Sequence, residues 1–119
     1  MKLDAKYYLE MMCEYANRAV KYIADISKEE FQDNEEKQDA VSHVLYRFAE
    51  ASVQIEDTFK AKYDEIGWKD IHGFRVLLAH QYHRVEMTIL YNIVIEELPL
   101  ILELLMSVLT KLQAEEKEK

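Results

Sequence analysis

The chain has 119 residues, half of them hydrophobic by type, with 2 glycines and 1 proline. A β-sheet domain of this length needs many tight turns rich in Gly, Pro, Asn and Asp, so the composition favours a single α-helical domain over residues 1–119. Fifteen basic residues against 23 acidic ones give a net charge of −8 at pH 7, which argues against a basic arm for nucleic acid.

The first predicted helix runs from about Asp4 to Ile26, because apolar and aromatic side chains recur there at every third or fourth position. This stripe consists of Tyr8, Met12, Tyr15, Ala19, Tyr22, Ile23 and Ile26. Cys13, the single cysteine, excludes an internal disulfide and a cysteine-based zinc cluster, and we interpret it as a small buried hydrophobe. Charged residues interrupt the first turns, so we find no signal-peptide core and expect a cytoplasmic protein.

The next segment carries two helix-start signals. Ser27 followed by Glu30 is a capping box, which predicts a short turn that Phe31 anchors on the core. Residues 33–36 combine N-cap side chains with acids at the positive end of a helix dipole, and they predict a new helix start. The following helical stripe is the most regular in the chain and comprises Val41, Val44, Leu45, Phe48, Ala51, Ser52, Ile55 and Phe59.

Residues 60–68 are predicted to form a connector, and residues 69–82 a third helix. A fourth helix is predicted from about Val85 to Gln113, bent or broken at Pro99, whose ring displaces one backbone hydrogen bond. We expect residues 111–119 to be a frayed tail. The elements together predict an all-α, antiparallel bundle of four to five helices.

The fourth helix is apolar nearly all round in its first half, at Ile89, Leu90, Tyr91, Ile93, Val94 and Ile95. A surface helix of a small monomer does not expose such a surface, so we expect a homodimer. A transmembrane interpretation fails because Glu96, Glu97 and Glu103 interrupt the apolar run, and we predict no membrane partner.

Charge is distributed unevenly along the chain. Residues 1–59 carry −6 and residues 85–119 carry −4, whereas residues 60–84 carry +2 and include His72, His80 and His83. The one basic stretch therefore coincides with the histidine cluster, and this is where we place the chemistry.

Arg75 and His80 are the candidate catalytic pair in this stretch. An arginine can hold a phosphate while an imidazole moves a proton, and a ribonuclease that uses the 2′-hydroxyl as nucleophile needs these two functions and no metal. On one continuous helix, five residues put the two side chains about 140° apart, so a second protomer or an early helix end is needed. The alternative is structural: Arg75 forms a surface ion pair and His80 is an interior or interface histidine. His72 and His83 lack the spacing of a metal site, and we predict no metal and no cofactor.

The whole chain resembles the HepT-like family of HEPN-domain proteins, which are toxins paired with a minimal nucleotidyltransferase antitoxin. The specific part of the resemblance is the block from Trp68 to Tyr82, with an Arg, four residues, a His, one residue and a Tyr. The matching segments are DAKYYLEMM, EEFQDNEEKQDAV, FAEA, IGWKDIHGFR, HQY and IEELPLI.

The resemblance implies a HEPN helical bundle that acts as a homodimer, with the Arg/His motifs of two protomers meeting in one cleft. It implies metal-independent cleavage of an RNA substrate to a cyclic phosphate, with Arg75 binding the scissile phosphate and His80 transferring a proton. Tyr82 matches the tyrosine that the nucleotidyltransferase antitoxin modifies with AMP, which would block the cleft by charge and bulk. The structural alternative for Tyr82 is an amphipathic packing residue.

The chain departs from the family pattern after Arg75, where Val76 replaces a polar residue that is often Asn. Loss of that polar group would remove a hydrogen bond that orients the arginine or the phosphate. This motivates a second hypothesis, a catalytically silent HEPN domain that binds RNA, nucleotide or its partner as a regulatory subunit. A third is a structural helical bundle without activity. Glu50 is predicted to be a structural partner of the Arg or the His.

Overall fold

The computed structural model describes residues 4–79 and 84–118, and every regular element within these residues is helical, as predicted. The elements in chain order are α1 (Ala5–Ile23), α2 (Lys28–Gln32), α3 (Glu35–Val53), α4 (Asp57–Lys62), a 3-10 turn (Asp64–Ile66), α5 (Trp68–Leu78), α6 (Arg84–Asn92), a π-helical segment (Ile93–Glu97) and α7 (Leu98–Lys117).

The predicted signals near the first chain reversal are confirmed. The Ser27 hydroxyl accepts from the Glu30 amide, and the Glu30 carboxylate accepts from the Ser27 amide, each at 3.1 Å. Phe31 is fully buried, and Asn34 caps α3 by accepting from the Lys37 amide at 3.0 Å. These local bonds fix the reversal that brings α3 back along α1.

The core lies between α1 and its two main neighbours, α3 and α7. The start of α1 meets the end of α3, because Ala5 and Gln54 line the same pocket. The start of α1 also meets the end of α7, where Lys6 Nζ donates to Glu116 Oε2 at 2.7 Å. Helix α1 is therefore antiparallel to both neighbours, and α3 packs on α5 as well.

Several predicted boundaries differ from the structure, among them the end of the third helix, which was predicted at residue 82 and lies at Leu78. Helix α1 ends at Ile23 rather than Ile26, because the capping box already starts α2 at Lys28. The stripe predicted as one helix to Phe59 is divided, since α3 ends at Val53 and α4 starts at Asp57. Apolar side chains on both sides of the break contact the core, Ala51 and Ile55 as buried residues and Phe59 of α4 as a partly buried one, which is why the periodicity concealed the break. The predicted connector 60–68 accordingly contains the end of α4, the 3-10 turn and the first residue of α5.

The last helical run is continuous in space but irregular before Pro99. The π-helical segment Ile93–Glu97 separates α6 from α7, and Pro99 lies in the first turn of α7. Proline cannot donate to the carbonyl four residues earlier, and a widened turn accommodates its ring. The frayed tail that we predicted from residue 111 is helical as far as Lys117, with Leu112 packed against the core.

Candidate functional site

The site is built on α5, and the start of that helix is fixed by Gly67 and Trp68. Gly67 has a φ of +77°, a left-handed conformation that ends the 3-10 turn and starts α5. The Trp68 indole N–H is shared between the carbonyls of Lys60 at 3.1 Å and Tyr63 at 3.0 Å. These contacts anchor α5 to the preceding segment and so determine where its last turn, with Arg75, meets α3.

Arg75 pairs with Glu50 of α3. Its Nε donates to Glu50 Oε1 at 2.5 Å, and the two side chains are 41% and 35% exposed. This contact confirms the prediction that Glu50 is a structural partner of the motif arginine. It is also the surface ion pair that the structural alternative predicts for Arg75, so the pair alone does not distinguish the two hypotheses.

Tyr46 is a second partner of Arg75 that the sequence analysis missed. It lies one turn before Glu50 on α3, and its side chain is 41% exposed. The pKa of Arg75 is raised, chiefly by the hydrogen bond and charge of Glu50 and further by the charge and hydrogen bond of Tyr46. The i, i+4 spacing of Tyr46 and Glu50 was the available signal, since it puts both on one face of a helix.

The arrangement presents a charged, oriented guanidinium at the protein surface. A guanidinium has five N–H donors in one plane, and Glu50 engages the Nε–H. Among the described residues, Glu50 and Tyr46 are the hydrogen-bond partners of Arg75, which use fewer than the five donors, and the planar fork matches the oxygens of a phosphate. Arg75 can therefore bind a phosphate while Glu50 holds its orientation.

His80 and Tyr82 lie outside the described residues, so their predicted roles stay predictions. Helix α5 ends at Leu78, and its C-cap Ala79 is the last described residue before His80. Val76, the residue that replaces the usual polar group, is 52% exposed in the last turn of α5.

A surface groove of about 320 Å³ lies between α1 and α3, beside the partners of Arg75. Tyr46 and Glu50 line it from α3, and Tyr8 and Met11 line it from α1. Arg47 also faces it, next to Tyr46 in the chain. Arg75 is thus linked through its partners Tyr46 and Glu50 to a groove lined by aromatic and basic side chains.

Among residues 4–79 and 84–118, no group of three or more His, Cys, Asp or Glu side chains is placed to hold a metal ion. Within the same ranges, none of the helices combines the length and apolar character that crossing a bilayer requires.

Comparisons of the chain with known proteins agree on one family. A family model described as Ribonuclease HepT-like matches residues 12–108. A protein of Methanocaldococcus jannaschii named "Putative RNase" is 34% identical over 98 residues, which cover 82% of this chain and 90% of that protein. A protein of Thermococcus cleftensis named "Probable ribonuclease HepT" is 32% identical over 99 residues, covering 83% and 90%. No solved structure is significantly similar to the chain.

Proposed function

Because the chain belongs to the Ribonuclease HepT-like family, we propose that it is the toxin of a toxin–antitoxin pair and cleaves RNA without a metal ion. Arg75 binds the scissile phosphate, and His80 takes part in proton transfer. The 2′-hydroxyl loses its proton and its oxygen forms a new bond to phosphorus. The 5′-oxygen leaves and is protonated, and a 2′,3′-cyclic phosphate remains.

The observation that most directly supports this proposal is the orientation and partial exposure of the Arg75 guanidinium. By the resemblance, Arg75 matches the motif arginine of the family, and its part-exposed guanidinium is oriented through Nε by Glu50. A guanidinium held in one direction loses little freedom when it binds a phosphate, which favours catalysis over a loose surface contact.

Growth arrest tests the assignment of the two catalytic residues. Expression of the unmodified chain in a bacterial host should arrest growth, and Arg75→Ala and His80→Ala should each relieve the arrest while the protein stays folded. Two fully toxic variants would show that the site is elsewhere.

The site is proposed to form between the two protomers of a homodimer, where the Arg/His motifs of both chains meet. Exposed apolar side chains support a dimer, because a second protomer would cover them: Ile89, Ile95, Leu100 and Met106 are between 42% and 63% exposed. Analytical ultracentrifugation should give twice the 14.2 kDa mass of the chain. A monomer at micromolar concentration would contradict this part of the proposal.

The antitoxin is proposed to be a minimal nucleotidyltransferase that transfers AMP from ATP to the Tyr82 hydroxyl in the cytoplasm, with pyrophosphate as the leaving group. An added phosphate group beside the cleft would repel the RNA backbone and obstruct it. Co-expression with the nucleotidyltransferase from the neighbouring gene should add adenylate mass to the peptide that contains Tyr82, and not to a Tyr82→Phe variant. Unmodified peptide in both would exclude this mode of neutralisation.

A second candidate function is supported by Val76, which exposes an apolar surface where the family has a polar group. The domain would then be catalytically silent and would bind RNA or nucleotide as a regulatory subunit of the nucleotidyltransferase. Val76→Asn distinguishes the two. A silent wild-type chain that gains RNA cleavage with Val76→Asn favours this candidate, whereas cleavage by the unmodified wild-type chain excludes it.

A further inference from the structure

A tyrosine on α1 carries two arginines, one from its own helix and one from α3. The guanidinium carbons of Arg18 and Arg47 lie 5.6 Å and 5.4 Å from the centre of the Tyr15 ring. Arg47 Nε donates to the Tyr15 hydroxyl at 3.2 Å, and Arg18 Nε donates to the Tyr22 hydroxyl at 3.3 Å. We call Tyr15, Arg18 and Arg47 the Tyr15 platform.

The positive charges of Arg18 and Arg47 are available to bind a ligand. In the part of the chain that the structure describes, both bond to tyrosine hydroxyls and neither forms an ion pair with a carboxylate. The pKa of Arg18 is raised, chiefly by its hydrogen bond to Tyr22 and only later in order by the charge of Glu14. Two positive charges next to one aromatic ring favour the binding of an anion between the two guanidiniums or beside them.

The platform is continuous with the groove beside Arg75. Arg47 belongs to both, and Tyr8, which lines the groove, precedes Tyr15 by two helical turns, or about 10.5 Å along α1. From the Arg75 partners Tyr46 and Glu50, the groove therefore leads along α1 and α3 to the platform.

We propose that the Tyr15 platform is a binding subsite for single-stranded RNA on one flank of the cleavage site. This inference rests on the proposed function, because it takes RNA as the substrate. Exposed guanidinium planes over an aromatic ring stack bases without regard to sequence, and the same groups contact phosphates. The strand enters along the groove, its scissile phosphate reaches Arg75, and nucleotides on one side of it contact Arg47 and Arg18.

The test measures binding apart from cleavage. The probe is a fluorescent single-stranded oligoribonucleotide with 2′-O-methyl groups throughout, which lacks the nucleophile, and anisotropy is recorded over a series of salt concentrations. Arg18→Gln/Arg47→Gln is compared with Lys111→Gln/Lys117→Gln, which removes the same charge from exposed positions on α7. Arg18→Lys/Arg47→Lys keeps the charge and removes the planar groups.

The arginine-to-glutamine variant should bind at least about fivefold more weakly, as expected from the loss of stacking. Its log–log salt slope should fall by about 1.4, the value for two lost phosphate contacts on a single strand. The lysine variant should keep the slope and lose affinity, and the α7 control should match the wild-type chain. If the Gln variant does not fold, the affinity of the Lys variant decides the matter.

Wild-type affinity and slope in the folded Gln variant, or wild-type affinity in the Lys variant, would overturn the inference. So would a wild-type chain that does not bind the probe. A wild-type chain that binds the probe through the platform but never cleaves RNA would contradict the proposed function and leave the subsite in place.

Discussion

Glu50 of α3 accepts a hydrogen bond from Arg75 Nε of α5 at 2.5 Å, although the two residues are 25 apart in the chain. The carboxylate both orients the guanidinium and opposes part of its charge. If Arg75 binds the scissile phosphate as proposed, these two effects act in opposite directions, because orientation favours reaction whereas the opposing charge weakens binding of the phosphate.

Glu50→Gln should therefore separate kcat from KM. The amide keeps the size of the side chain and loses the charge-assisted bond, so we expect kcat for RNA cleavage to fall roughly tenfold while KM stays equal or decreases. Steady-state kinetics on a fluorogenic oligoribonucleotide measure both constants. Glu115→Gln, an exposed substitution on α7, is the control, and an unchanged kcat would remove Glu50 from its positioning role.

The two glycines of the chain should respond to alanine in opposite directions. Gly67 has a φ of +77°, so Gly67→Ala should lower the free energy of unfolding by about 1 kcal/mol. Gly73 lies inside α5 with open space where a Cβ would point, so Gly73→Ala should raise that free energy by about 0.5 kcal/mol. Urea unfolding followed by the fluorescence of Trp68, the sole tryptophan, measures both. Equal effects would show that the left-handed turn before α5 is absent in solution.

Several features of the fold could be predicted from the sequence, because they depend on residues that are close together in the chain. The Ser27–Glu30 capping box and the Asn34 cap need only neighbouring residues, and both were predicted correctly. Glu50 was identified as a partner of the motif through the family resemblance. Tyr46 was not, because its contact with Arg75 depends on how α3 packs against α5.

The Tyr15 platform was missed for a different reason. The net charge of residues 1–59 is −6. This sum conceals two arginines that the antiparallel packing of α1 and α3 brings onto one ring. The break between α3 and α4 was not predicted, because apolar residues on both sides of it pack against the core. Tertiary contacts thus decide what periodicity and net charge leave open.

Cys13 should be unreactive in the folded protein. Its side chain is buried, and this burial, with a smaller contribution from Glu10, raises the pKa of the thiol to about 11. Because the thiolate is the nucleophile, an alkylating reagent at neutral pH should modify the native chain far more slowly than the chain in denaturant. With one cysteine, intact-mass measurement gives the modified fraction directly. Rapid labelling of the native protein would contradict the packing of α1.

Glu97 should make the protein less stable as pH rises from acidic to neutral. Its pKa is raised, first by partial desolvation of the carboxyl and then by the charges of Asp70 and Glu96, although the residue as a whole is exposed. The folded state therefore holds this proton more tightly than the unfolded chain, and stability decreases as the carboxyl ionises.

Glu97→Gln should consequently raise Tm at neutral pH by about 2 °C, and the difference should vanish below the ordinary carboxyl range. Differential scanning calorimetry at both pH values measures this, with Glu103→Gln as an exposed control on the adjoining helix. A variant that is equally stabilised at acidic pH would point to a cause other than charge.

Metal-independent cleavage of RNA by Arg75 and His80 is the core of the proposed function. The most direct measurement incubates the purified, unmodified protein with RNA in the presence of a chelator and identifies the new ends by mass spectrometry. We predict fragments with 2′,3′-cyclic phosphate ends from the wild-type chain, and a loss of at least about 100-fold in rate for Arg75→Ala and His80→Ala. Cleavage that stops when the chelator is added, or that persists at the wild-type rate in both variants, would contradict the account.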